Sequence, residues 1–72
     1  MKTQKNPPVV YRGDQVIIKT KKRTFNAKAV REFSPMHSLI YPVKDLDGGG
    51  RKLAVPFQDV ISIERIIEDP EP

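Results

Sequence analysis

Few residues in this 72-residue chain have the types and spacing that catalysis needs. His37 is the only histidine and cysteine is absent. A Cys–His pair is therefore impossible, and a Ser–His–Asp arrangement would have to recruit a loop histidine with no supporting motif. Asp45-Leu46-Asp47-Gly48 opens like a calcium loop. An EF-hand, however, needs a third ligand two residues on and a bidentate glutamate at position twelve, where Gly49 and Pro56 stand. Gly48-Gly49-Gly50-Arg51-Lys52 lacks the spacing of a phosphate-binding P-loop, and a strand pattern follows it instead of a helix. Arg12-Gly13-Asp14 spells an adhesion tripeptide but reads as a turn before a strand, glycine supplying the backbone freedom and aspartate the side-chain cap. No catalytic residue, metal site or cofactor is expected.

Binding chemistry is better represented. Lys19, Lys21, Lys22, Arg23 and Lys28 form a basic run, with Arg31, Arg51 and Lys52 as extensions. Placed at a hairpin tip, Lys21-Lys22-Arg23 can approach phosphates while Lys19 and Lys28 carry the charge along the flanking strands. Each phosphate neutralised releases counterions, so such binding is salt-sensitive and largely blind to sequence. Phe25 would add a stacking platform if its ring faced outward, but its phase matches Ala27 and Ala29, which places it in the core. Lysines at hairpin tips and on edge strands also serve simply to block edge-to-edge pairing.

The elements that must position these residues are strands. From Val9 to Ile67 the apolar residues come in short clusters rich in β-branched and aromatic types, separated by turn residues. No window carries a sustained helical stripe. The pattern predicts a strand over Gln15–Thr20 with Val16 and Ile18 inward, and a longer strand over Thr24–Phe33 with Phe25, Ala27 and Ala29 on one face. Val30 and Phe33 do not fit that phase, which calls for a bulge or a strong bend near Ala29. Ser34–Ser38 is a loop. Leu39–Leu46 is a third strand that Pro42 places at an edge or bulge. Asp47–Gly50 turns the chain back into Arg51–Val55, with Leu53 and Val55 inward. Pro56–Asp59 makes one 3₁₀ turn, and Val60–Ile66 closes the fold with Ile61 and Ile63 inward. Ile17, Ile40, Val60 and Ile67 are left facing away from the core, where a contiguous patch would signal an interface.

One domain is all that 72 residues can build, and without disulfides or metal it relies on packing or on self-association. We divide it into a flexible tail over residues 1–8, a domain over 9–67 and an acidic flexible tail over 68–72. Charge is unevenly shared: residues 1–33 hold nine basic and two acidic side chains, residues 34–72 four basic and seven acidic, or +7 against −3. The two halves can attract one another, and the acidic tail can compete for a basic face. No apolar stretch is long enough for a membrane span or a signal peptide, which predicts a cytoplasmic protein.

The opening Gly13-Asp14-Gln15-Val16 resembles KOW-type modules, although no glycine follows the first strand. The segment from Leu53 to Glu64 resembles the closing part of Sm-like barrels such as the YolD-like proteins. The resemblance implies an all-β fold, a small five-stranded SH3-like or Sm-like barrel with a short 3₁₀ turn before its last strand. Such barrels bind RNA, DNA or peptides, or assemble into oligomers, so it implies a binder of some class. The sequence thus points to a non-enzymatic module that binds RNA or DNA through phosphates. The alternative is a protein-interaction or homo-oligomeric module working by strand addition or an apolar patch, with a regulatory factor of a mobile element as one form.

Overall fold

A computed structural model describes residues 2–67 of the chain. Among the described residues, five short runs with apolar residues on one face and one polar run, Lys2–Lys5, pair into one antiparallel sheet of six strands. The strands are β1 (Lys2–Lys5), β2 (Gln15–Thr20), β3 (Thr24–Ala29), β4 (Ile40–Asp45), β5 (Arg51–Pro56) and β6 (Val60–Ile67), with a 3₁₀ turn over Phe57–Asp59 between the last two. Their spatial order is β1-β6-β2-β3-β4-β5. Alternation sends Val16 and Ile18, then Phe25, Ala27 and Ala29, then Tyr41 and Val43, into a shared core with Val55 and Ile63. Leu53 and Val60 pack against it from the side. Among the described residues no helix is long and apolar enough to cross a membrane.

The sheet differs from the expected five-stranded barrel in its strand number and in being open, with β1 and β5 as its edges. The additional strand comes from the segment expected to fray. Lys2–Lys5 pair with Ile67–Glu64, and Arg65 anchors them by donating to the Gln4 side-chain oxygen and, at 2.8 Å, to the Val9 carbonyl. Asn6, in the left-handed region at φ 49°, then turns the chain so that Pro7 is buried. The acidic segment 68–72 lies outside the described residues.

The phase conflict after Ala29 is resolved by a bend at Val30 and Arg31, where the strand ends, and not by a bulge. Val30 donates to the Pro42 carbonyl at 3.0 Å, and Phe33 reaches the core through a reciprocal bridge with Val10, at 2.8 and 2.9 Å. Pro42 is not on an edge strand, because β4 lies between β3 and β5. It is tolerated because the β3–β4 ladder stops at Ala29↔Val43, just before a donor at Pro42 would be required. Leu39 precedes β4 and is 83% exposed.

In β6 the register against β2 shifts: Ser62 faces Lys19 while Val60 faces Thr20, leaving Ile61 without a partner. That bulge turns Val60 toward the core and Ile61, expected inward, out to solvent at 58% exposure.

Candidate nucleic-acid interface

The β2–β3 tip is held by Thr20. Its N–H donates to the Arg23 carbonyl at 2.8 Å, and its hydroxyl oxygen accepts from the N–H groups of Lys22 and Arg23 at 3.2 and 3.1 Å. Satisfying these backbone groups locally leaves the Lys21 and Lys22 side chains exposed. Lys19 is exposed beside them, paired with Thr24.

Arg23, one of the residues expected to approach phosphates, already has partners within the protein. Its guanidinium lies 4.2 Å from the centroid of the Phe25 ring and donates to the Asp45 carboxylate at 2.5 Å. Asp45 is a buried polar residue at 5% exposure, and Gly48 N–H donates to its second carboxylate oxygen at 2.9 Å. The hydrogen bond from Arg23 holds the Asp45 carboxyl below its usual range, and the Gly48 and Asp47 N–H groups and the Arg23 charge act with it against burial. Phe25 is 4% exposed, so it is a core residue and no stacking platform. The Asp47 carboxylate accepts from Asn26 N–H at 2.9 Å, so the acidic turn braces β3. Among the described residues no cluster of three or more histidine or acidic side chains could hold a metal ion.

Lys28 lies at the far end of the hairpin. Four residue steps along β3 separate it from Thr24, roughly 13 Å, and the outward positions between, Ile17 and Asn26, are neutral. The basic run is therefore two clusters and not one stripe.

The second cluster was only half visible in the sequence. Lys28 is the cross-strand partner of Lys44, and Lys44 is the partner of Lys52. Three lysines thus stand in one row across β3, β4 and β5, spanning roughly 10 Å of backbone at the usual strand spacing. Arg12 joins them from the turn before β2. That turn is closed by Tyr11 N–H on the Asp14 carboxylate at 2.9 Å and by Gly13, at φ 90°, donating to the Ala29 carbonyl at 2.9 Å. Arg12, Lys28, Lys44 and Lys52, with Gly13, Ala29 and Val30, line a surface hollow of about 460 Å³. Among the described residues no carboxylate pairs with any of these four cations; the ion pairs are Arg23–Asp45 and Asp14–Arg65. Both of those pairs join the basic first half to the second half.

Arg31 is exposed in the bend after β3 but does not line the hollow. Arg51 faces Asp45 across the β4–β5 ladder, one position out of phase with Lys52. His37 stands exposed in the 34–38 loop. Lys44 was recoverable from the sequence, since centring the β4–β5 turn on Gly48 sets it opposite Lys52. Its pairing with Lys28 was not, because an irregular segment separates the two strands.

A second hollow, of about 480 Å³, has no charged residue in its lining, which includes Pro35, Met36, Tyr41, Phe57, Ile61 and Ile63. It borders the half of β6 that β1 leaves uncovered: the β1 ladder stops at Lys5↔Glu64, followed by one hydrogen bond from Asn6 N–H to the Ile63 carbonyl at 2.8 Å. No family model matches this chain, and neither a curated protein nor a solved structure matches it.

Proposed function

We propose that this domain is a binding module that engages nucleic acid through phosphates, with little base specificity, and performs no catalysis. The row Lys28–Lys44–Lys52, flanked by Arg12, carries this reading. Like charges set directly opposite in a sheet disfavour folding, by up to roughly 1 kcal/mol a pair, and no described carboxylate relieves them. A polyanion laid across the row would, and releasing its counterions adds affinity. The strand order β6-β2-β3-β4-β5, with a 3₁₀ turn leading into β6, supports reading this open sheet as SH3-like, a class of fold that hosts such binders. The tip lysines Lys19, Lys21 and Lys22 form a secondary contact. Titration of labelled oligonucleotides at two salt concentrations tests the reading. Reversing Lys28, Lys44 and Lys52 to glutamate should abolish binding, and reversing Lys21 and Lys22 should weaken it less. Absence of binding at low salt would end the proposal.

A second reading, self-association, is favoured by the uncharged hollow beside the open half of β6. Copies of a chain with net charge +4 repel one another at the lysine row, so a surface free of charge is where two can meet. Light scattering at rising protein concentration tests it: a dimer lost on Ile61→Asp supports it, and a monomer throughout rejects it.

A further inference from the structure

We infer that the lysine row takes the backbone of a duplex and not a single strand, an inference that rests on the nucleic-acid reading. Proteins that hold single strands gain much of their affinity from bases stacked on exposed rings. The outward positions around this row offer none: they are Gln15 and Ile17 on β2, Asn26 on β3, Pro42 on β4 and Ala54 on β5. The rings nearest in sequence belong to the core. Phe25 lies under the Arg23 guanidinium, and Phe33 and Tyr41 stack on each other with centroids 4.9 Å apart. Tyr11 and Phe57 are about half exposed, yet neither lines the basic hollow.

Charge density points the same way. Three lysines set within roughly 10 Å, with Arg12 lining the same hollow, match a ligand that carries its charges close together. A duplex presents about one negative charge per 1.7 Å of axis, more than either strand alone, and keeps its bases stacked on each other without help from the protein. Because the lysines rise from neighbouring strands of one hydrogen-bonded ladder, their spacing is fixed before binding and little backbone ordering remains to be done.

The test is an anisotropy titration of the whole chain against a labelled DNA duplex of roughly 20 base pairs and against each of its strands alone, between about 50 and 200 mM salt. The duplex should bind about tenfold more tightly than either strand at the lower salt. Its log–log salt slope should lie near −3 to −4, as about four neutralised phosphates require. Lys44→Gln should reduce that slope by about one, and Tyr11→Ala should leave affinity unchanged. Equal or tighter binding of a single strand, or a marked loss with Tyr11→Ala, would overturn the duplex inference while leaving the nucleic-acid reading in place. No binding to any of the probes at low salt would overturn both.

Discussion

Arg23 and Asp45 meet across the end of the β3–β4 pair, guanidinium to carboxylate at 2.5 Å, with the Phe25 ring beneath the guanidinium. The contact makes one buried acid tolerable and pairs one cation of the basic run while leaving it half exposed. It also ties the β2–β3 tip to the β4–β5 turn, since Gly48 caps the same carboxylate.

Stability should therefore depend on acid pH through Asp45. Its carboxyl ionises more readily in the folded chain than in the unfolded one, so its contribution is fully present above the ordinary range near pH 4 and is lost as pH falls through the lower folded value. The urea midpoint should drop between about pH 5 and 3 by more in the wild type than in Asp45→Asn. Equal losses would contradict this assignment. Arg23→Gln should lower the melting temperature yet leave oligonucleotide affinity nearly unchanged, because this arginine is already engaged.

Gly48 should resist substitution for a steric reason. A Cβ there would lie 2.7 Å from Oδ2 and 2.9 Å from Cγ of Asp45, whose carboxylate Arg23 prevents from moving aside. Gly48→Ala should cost about 1–3 kcal/mol in urea unfolding, as overpacking does. An alanine at this position without penalty would mean that the carboxylate is freer than its partners imply.

Lys44 should separate stability from binding. Replacing it with threonine removes like charge from both neighbours and adds a good strand former, which should stabilise the fold by roughly 0.2–1 kcal/mol. The same change should weaken nucleic-acid binding. Calorimetry and titration on one variant would show the two effects with opposite sign, and a loss of both stability and binding would argue that Lys44 is structural.

Tyr41 should matter through its hydroxyl as well as its ring. The O–H donates to the Pro35 carbonyl at 2.6 Å in a buried setting, and burial raises the phenol's pKa. Tyr41→Phe keeps the stacking on Phe33 but leaves that carbonyl unpaired, at a cost of about 1–2 kcal/mol. Hydrogen exchange in the 34–38 loop should accelerate in this variant, and an unchanged loop would assign the bond a minor role.

Strands fixed by local alternation were legible in the sequence. Gln15–Thr20 and the 3₁₀ turn over Phe57–Asp59 occur as the residue pattern implies, as does the inward set Phe25, Ala27 and Ala29. What local pattern cannot carry is pairing between distant segments. Ile61 was misplaced because a bulge shifts the phase of β6 against β2, and that shift is decided by the partner strand. Lys2–Lys5 were read as a frayed tail because polar residues suit a sheet edge whose partner lies some sixty positions away. The candidate site divided along the same line. Lys28 and Lys52 were picked for their charge, whereas Lys44 gains its place from the centring of the β4–β5 turn and its pairing with Lys28, and Arg12 from the turn that Gly13 ties to Ala29. Arg23 was picked for its charge too, and its buried acceptor was invisible.

The alignment of Lys2 with Ile67 has a consequence for the order in which the protein folds. The β2–β3 and β4–β5 hairpins join neighbouring segments and can form within microseconds. β6 is the last strand among the described residues, yet it must insert between β1 and β2, so two of the sheet's five interfaces wait for its arrival. Pairing β6 with β1 and β2 closes longer loops than either hairpin does, and topology of this kind slows two-state folding toward milliseconds or longer. Until that strand docks, β2 keeps an open side, which makes the arrival of β6 the step that commits the chain to its native form.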